Sequence, residues 1–462
     1  MNSDGSLRST QPPATRRSII LFPLPFQGHI NPMLQLANIL HTHGDFHIII
    51  IHTQFNSPNP SKYPQFTFQS IKDGNTEYQY NITTLTDDPI YIFNYLNENC
   101  VDTFKDCVAG LIQQEPVACM ITDAAFFFTQ AVADELKLPR LVLRPSSVLC
   151  AVVYCNLTLF YEKGYFNCTN KDPFYDAPLP EYPIIKGKDI SKISTKPLGH
   201  KDFANKMFEY MKQSSGIIWN TFKELEQPEL ETISHNFPIP HFTLGPFHKY
   251  FSGSSSSLID EDRTIMSWLD TQPPKSTIYV SFGSVACITE SEFQQVANVL
   301  ENIGLPFLWV VRPGLVTGSK WLESLPETWL ERVGEKGRIV KWCCQKEVLA
   351  HRATGCFWTH NGWNSTMESI CEGVPMVCSP CSYDQPLNAR YVSDVWKIGV
   401  LLEDGFEKEG IEKAIKKVMV DKEGDEIRER INALKEKLNL SLKEGGSSHK
   451  SLKNLVDYIS SF

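Results

Sequence analysis

Apolar residues arrive along this chain in short runs, each followed by a stretch in which they recur every three or four positions. The runs Ser18–Pro23, Phe46–His52, Gln65–Gln69, Val117–Thr122, Arg140–Leu143 and Gly216–Trp219 form one series. A second comprises Thr277–Phe282, Pro306–Val311, Gly337–Lys341, Gly355–Trp358, Pro375–Cys378 and Gly399–Leu402. Runs without polar alternation are what strands covered on both faces look like. Between them the helical period holds: Phe293, Val296, Ala297, Leu300 and Ile303 share a face, as do Ile427, Ile431, Leu434 and Leu438. Such alternation predicts parallel sheets assembled from βαβ units.

The pattern breaks at Gly245-Pro246 and again at Ser252-Gly253 and the serines after it, a linker composition. The expected organisation is a polar, disordered lead-in over residues 1–15, an α/β domain over 16–245 and a linker over 246–259. A second α/β domain follows over 260–445. A final helix in 446–462, with Leu452, Leu455, Val456 and Ile459 on one face, is free to pack back on the first domain. The fold class is therefore α/β, with two Rossmann-like parallel-sheet domains facing each other. Ligands of open α/β sheets sit beyond the carboxyl ends of the strands, which puts the site in the shared cleft. Neither GxGxxG nor GxxxxGK[ST] occurs, so nicotinamide chemistry and P-loop phosphoryl transfer recede.

Composition narrows the picture further. The chain has 462 residues, enough for two or three domains, and a net charge of -9, the wrong sign for a nucleic-acid binder. Thirteen cysteines, an odd number without regular spacing, argue for a reducing compartment, and a cytoplasmic location is expected. The single CxxC, Cys378 to Cys381, is weak evidence for zinc or redox chemistry. The sequons at Asn81, Asn156, Asn167, Asn364 and Asn439 would matter only in the secretory pathway. Arg16-Arg17 before Ile19–Phe26 superficially imitates a signal peptide, yet Pro23 and Pro25 interrupt it. No apolar run reaches bilayer-spanning length.

The chemistry concentrates between Trp342 and Gln385. At its centre, Thr359-His360-Asn361-Gly362-Trp363-Asn364-Ser365 follows a strand and precedes a helical pattern. A strand, a glycine turn and a helix start together make an anion site, because free backbone N–H groups and the helix dipole point at the ligand. The whole segment resembles the signature of plant secondary-product glycosyltransferases, the family 1 UDP-sugar-dependent enzymes. Phe26-Gln27-Gly28-His29-Ile30-Asn31-Pro32 and Asp384-Gln385-Pro386-Leu387-Asn388-Ala389-Arg390 are similar to the subgroup that glucosylates steviol glycosides and cytokinins.

The resemblance implies a GT-B architecture and an inverting glucosyltransferase. Such an enzyme moves glucose from UDP-glucose to a hydroxyl of a small hydrophobic metabolite, giving a β-glucoside. It implies UDP-glucose as co-substrate, no further cofactor, no metal, no nucleic-acid or membrane partner, and a monomer. By the same resemblance Trp342 stacks on uracil, Gln345 borders the nucleoside and Glu368 binds the ribose hydroxyls. His360, Asn364, Ser365 and Ser284 hold the diphosphate, while Trp363, Asp384 and Gln385 contact the sugar. Gln385 resembles glucose-preferring members. The residue types suit those tasks: an aromatic plane for a base, a carboxylate for a diol, neutral donors for a diphosphate.

His29 falls after the first strand, and Asn31-Pro32 reads as an N-cap and first helical residue. Asp123 ends the strand Val117–Thr122, so both reach the carboxyl edge of the first sheet. A histidine oriented by a carboxylate is the arrangement of a general base, the role the resemblance gives His29 with Asp123. Three positions depart from the family pattern: Cys344 for proline, Asn361 for cysteine or serine, and Pro145 for a threonine that reaches the sugar, with Ser146 as a substitute. Tyr91, Phe126, Phe127, Phe128, Val148 and Leu149 are expected near the acceptor. The rival readings are a binding protein of this fold without catalysis, opposed by His29 and Asp123, and a nucleotide-sugar epimerase, opposed by the missing glycine fingerprint.

Overall fold

The computed structural model describes residues 16–74, 89–251, 259–318, 321–323, 325–326 and 328–462. The expected disordered lead-in, Asn81 and the serine run lie outside the described residues. The strands are β1 (Ser18–Phe22), β2 (His47–Thr53), β3 (Thr67–Ile71), β4 (Val117–Asp123) and β5 (Arg140–Arg144). They continue with β6 (Pro178–Leu179), β7 (Tyr182–Lys186), β8 (Gly216–Trp219) and β9 (His241–Thr243). The second half carries β10 (Thr277–Ser281), β11 (Phe307–Val310), β12 (Gly337–Val340), β13 (Thr354–Thr359), β14 (Met376–Cys378) and β15 (Gly399–Leu401).

Two open sheets result, ordered β3-β2-β1-β4-β5-β8-β9 and β12-β11-β10-β13-β14-β15. Every pairing within them is parallel, and the antiparallel β6–β7 pair stands apart. β1 shows why its run is apolar throughout. Ile20 and Phe22 enter one core with Ile49, Met120 and Val142; Ile19 and Leu21 enter another with Ile48, Ile50 and Leu141. Alternate side chains feed opposite faces, and both faces are covered. β10 repeats this, with Tyr279 on one side and Ile278 and Val280 on the other. Strand order reverses between β1 and β4 and between β10 and β13, which places the crevice of each sheet at their carboxyl ends.

Two expectations about the connections need correction. The linker begins later than residue 246: Phe247 is fully buried, and Tyr250 and Phe251 pack on the first core, so those aromatic side chains keep the chain on the first domain. The helix bearing His29 starts earlier than Asn31. It runs Gln27–Gly44 with Phe26 at its N-cap, and Pro32 lies inside it. The last helix, Ser447–Ser460, buries Leu452, Leu455 and Ile459 against the first domain's core although it follows the second. β9 and the β6–β7 hairpin are too short to carry a readable period. No described helix is long and apolar enough to cross a membrane.

Candidate active site in the interdomain cleft

The carboxyl end of β1 leads into the helix Gln27–Gly44, whose first turn carries His29. β4 ends on Asp123, which is 1% exposed. Its Oδ2 lies 2.7 Å from His29 Nδ1, and its Oδ1 accepts the Ala125 N–H at 2.9 Å. A carboxylate anchored by the backbone and facing Nδ1 fixes the tautomer that leaves Nε2 as the basic nitrogen. The imidazole, 27% exposed, lines the cleft while Asp123 stands behind it.

Opposite lies the helix Trp363–Glu372, capped by Gly362 at the end of β13. Asn361, just before it, sits in the left-handed region at φ 62°, a conformation asparagine tolerates better than cysteine or serine. That accounts for one departure from the family pattern. Trp363, Asn364 and Ser365 occupy the first turn, where backbone N–H groups are free. His360 packs against the turn after β10, and a Cβ on Gly283 or Gly362 would collide with its Nε2. Burial, with Arg312 nearby, pushes His360 down to about 4 against a contact with the Ser281 backbone, so it is neutral at pH 7.

A polar chain runs deeper on this wall. Gln345 donates to Ser365 Oγ at 2.9 Å and to Glu368 Oε2 at 2.7 Å, and Tyr279 donates to Gln345 Oε1 at 3.2 Å. Burial raises the Glu368 carboxyl above its ordinary range and the Gln345 bond opposes that rise. Burial likewise raises Asp384, whose Oδ2 accepts from Asn388 at 2.8 Å. Gln385 accepts the Cys381 N–H at 2.9 Å and the Ser382 N–H at 3.2 Å through Oε1, so its carboxamide is held by the backbone. Ser284, Trp342, Gln345, His360, Trp363, Asn364, Ser365, Glu368, Asp384 and Gln385 all line the same cleft as His29.

Two of these side chains are already engaged across the cleft. The Trp363 indole N–H donates to the Asn220 carbonyl at 2.9 Å, so this ring has no donor left for a sugar. Asn364 Nδ2 donates to the Gly28 carbonyl at 2.9 Å, and its Oδ1 accepts from Asn220 Nδ2 at 3.4 Å. The first bond has a sequence cause: Pro32 has no N–H, so the carbonyl four residues earlier, Gly28, has no helical partner. Asn364 fills that gap and ties the helix bearing His29 to the helix Trp363–Glu372 across the cleft. Asn220 was not anticipated, although it follows β8 at the sheet edge where site residues gather.

The acceptor-side expectation is corrected. Tyr91 is 63% exposed, Phe126 stacks on Phe22 at 4.2 Å inside the core, and Phe128 packs edge-on to both. Phe127 faces Phe203 and Tyr210. Val148 and Leu149 are buried in the helix Val148–Tyr154, whose cleft-facing stripe is Cys150 and Tyr154, four residues apart. None of these six residues lines the cleft. The apolar wall of the cleft is instead Phe26, Ile90, Phe93, Phe203, Ala204 and Met207, with Arg144, Pro145, Ser146 and His200. Ser147 is committed elsewhere: it caps the Val148 helix through the Cys150 N–H and donates to Asn388 at 2.9 Å.

A family model described as UDP-glucoronosyl and UDP-glucosyl transferase matches residues 236–435. The chain is 49% identical to UDP-glycosyltransferase 76G1 of Stevia rebaudiana, over 96% of this chain and 97% of that protein. It is 47% identical to UDP-glycosyltransferase 76B1 of Arabidopsis thaliana, over 97% and 99%. Among solved structures it is similar to an anthocyanidin 3-O-glucosyltransferase in complex with UDP, with TM-score 0.83, 26% identity and coverage of 97% and 100%. It is also similar to UGT71G1 of Medicago truncatula complexed with UDP-glucose, with TM-score 0.81, 26% identity and coverage of 96% and 98%.

Proposed function

The chain belongs to the plant family 1 UDP-glycosyltransferases, enzymes that transfer a sugar from a UDP-sugar to a small molecule, and from that premise we propose that it is an inverting glucosyltransferase using UDP-glucose. The observation that carries this reading is the 2.7 Å His29–Asp123 pair, whose imidazole lines one wall of a cleft whose other wall is the start of the helix Trp363–Glu372. His29 Nε2 takes the proton of an acceptor hydroxyl, and Asp123 stabilises the imidazolium that forms. The acceptor oxygen bonds to the anomeric carbon from the face opposite UDP. The bond from that carbon to the phosphate oxygen breaks, and its electron pair leaves with UDP. Attack from the opposite face converts an α-linked donor into a β-glucoside.

Neutral donors hold the diphosphate in this reading: the free N–H groups of residues 363–365, His360 as an uncharged imidazole, and Ser284. They stabilise charge on the leaving group without a metal ion. Trp342 covers the uracil, Glu368 accepts from the ribose hydroxyls, and Asp384 and Gln385 contact the sugar. The thirteen cysteines are all free thiols, as suits an enzyme of the reducing cytosol.

The test is an assay of UDP release from UDP-glucose with a panel of phenolic and terpenoid alcohols, with product configuration read by NMR. His29→Ala is expected to lower kcat by roughly 10²–10⁴-fold while UDP-glucose still saturates the enzyme, and EDTA to leave the wild-type rate intact. A His29→Ala enzyme as fast as wild type, or an α-linked product, would overturn the mechanism.

A further inference from the structure

Five cationic side chains are buried among the described residues: Arg140, Arg144, Lys188, Arg312 and Arg390. Four have oxygen acceptors. Arg140 bonds to Thr122 and Gln130, Arg312 to the carbonyls of Gly283 and Pro313, Arg390 to Asp189 and Glu403, and Lys188 to Glu403. Arg144 differs. Its Nη1 meets the Met207 sulfur at 3.1 Å, its Nη2 the Cys150 sulfur at 4.0 Å, and its guanidinium lies 5.6 Å from the Phe208 ring centroid. Its Nε has no hydrogen-bond partner, and no ion pair among the described residues joins it to a carboxylate. Sulfur is a weak acceptor, so a full charge is held in the interior with little to compensate it.

Arg144 lines the acceptor wall of the cleft and so does His200, 3% exposed, whose Nδ1 is also without a partner. Burial, reinforced by the charge of Arg144, lowers His200 to about 4, so the ring is neutral at pH 7 and retains one N–H. Asp384, across the cleft, feels the charge of Arg144 yet spends Oδ2 on Asn388. The surrounding wall is apolar: Phe93, Phe203 and Met207. An apolar enclosure holding an uncompensated planar cation, beside a second unsatisfied ring nitrogen, is shaped for a planar anion on an otherwise hydrophobic molecule.

We propose that the acceptor is a hydroxy-carboxylic acid, bound through its carboxylate by Arg144 with His200 beside it, while its hydroxyl is presented to His29. This rests on the glucosyltransferase reading above and names the substrate class of the same site. The topology supports the two-point hold. Leu143 is the register partner of Asp123 on neighbouring strands, and Arg144 is the next residue. The cation and the carboxylate that orients the base thus stand at adjacent strand ends, and His29 follows β1 one strand further on. The base and Arg144 are therefore two strand spacings apart, roughly 10 Å at the backbone, a gap that the arginine side chain and a hydroxy acid bridge together. Glucose goes to the hydroxyl, and the carboxylate is recognised but not consumed.

The experiment compares 2-, 3- and 4-hydroxybenzoate with their methyl esters, which keep the hydroxyl and body but lose the charge. Wild type should favour at least one acid over its ester by roughly tenfold or more in kcat/KM, because the ester leaves Arg144 unpaired. The product should be a phenolic glucoside, stable to mild alkali. In Arg144→Met, close in volume and uncharged, the acid-to-ester ratio should fall by about the same factor. Benzoate should compete with the acceptor in wild type and lose that effect in the variant. Equal use of acid and ester by wild type would overturn the proposal without needing any variant to fold. So would an alkali-labile glucose ester, or an Arg144→Met enzyme that keeps the acid preference while the KM for UDP-glucose rises. Turnover of esters and neutral alcohols alone would leave the glucosyltransferase reading standing; no transfer to any member of either panel would remove that reading itself.

Discussion

The two walls of the cleft are built on opposite plans. On the proposed donor side, Trp342, Gln345, His360, Trp363–Ser365, Glu368, Asp384 and Gln385 come from one continuous stretch, and most of their polar groups, His360 Nδ1 excepted, already have protein partners before a ligand arrives. On the acceptor side, Phe26, Phe93, Arg144, Tyr154, His200 and Met207 come from five separated stretches, and polar atoms of Arg144 and His200 are left without partners. A pre-bonded wall holds one ligand geometry fixed, as a common donor needs. A wall assembled from separate segments can be altered one segment at a time, the general way in which a fold changes the ligand it takes.

Removing Glu368 tests the pre-bonded wall most severely. Glu368 accepts from Gln345, and in the proposed donor complex it also accepts from the ribose hydroxyls; hydrogen bonds to a charged group are each worth about 1.5–3 kcal/mol. Glu368→Ala should therefore raise the KM for UDP-glucose by roughly 10- to 100-fold and change kcat less. Initial rates over a donor series measure this. An unchanged KM would mean that Glu368 serves only to hold Gln345, and the donor wall would lose its claim to be preformed for the ribose.

The seam between the walls gives a smaller effect. Asn364 joins Gly28 to Asn220, and Trp363 reaches the same Asn220. Asn364→Ala and Asn220→Ala should each lower kcat by roughly 3- to 10-fold, the scale of one or two neutral hydrogen bonds. The double variant should cost little more than either single one, since both break the same connection. Additive losses in a double-mutant cycle would show that the two asparagines act separately.

This seam also marks where the sequence stops being legible. All twelve anticipated strands lie within about two residues of observed ones, because a strand covered on both faces must be apolar throughout, and that reads directly in one dimension. The donor segment was readable because its residues are neighbours in the chain. Asn220, Arg144 and His200 were not: Asn220 follows β8, Arg144 ends β5 and His200 lies inside the helix Pro197–Met211, and what distinguishes each is a partner, or the lack of one, more than fifty residues away or across the cleft. The aromatic run Phe126–Phe128 misled for the complementary reason. Being apolar near a site does not say whether a ring faces the ligand or the core, and here Phe126 chose Phe22.

The smallest effect probes how the acceptor wall is supported from behind. Glu226 is fully buried, and its Oε1 accepts the Leu149 N–H at 3.1 Å, holding the start of the helix that presents Cys150 and Tyr154 to the cleft. Burial pushes this carboxyl up to about 8, against hydrogen bonds from Thr221 and the Leu149 backbone. The unfolded group ionises near 4.5, so between about 4.5 and 8 the unfolded chain has lost a proton that the folded one keeps. Stability from this group is complete below the unfolded value and is lost as pH rises toward about 8. His200, His241, His248 and His360 act in the opposite sense: all four are lowered, and their unfolded counterparts are half protonated at 6.5 and lose the rest of the proton above it. Those histidines are common to wild type and Glu226→Gln, so the difference between the two proteins from about pH 6.5 to 8 isolates Glu226. Relative to Glu226→Gln, which keeps the acceptor for Leu149 but has no proton to lose, wild type should lose on the order of 1–2 kcal/mol across that interval, seen as a Tm that falls against the variant's. Parallel profiles for the two proteins would place the proton elsewhere and leave the acceptor wall resting on packing alone.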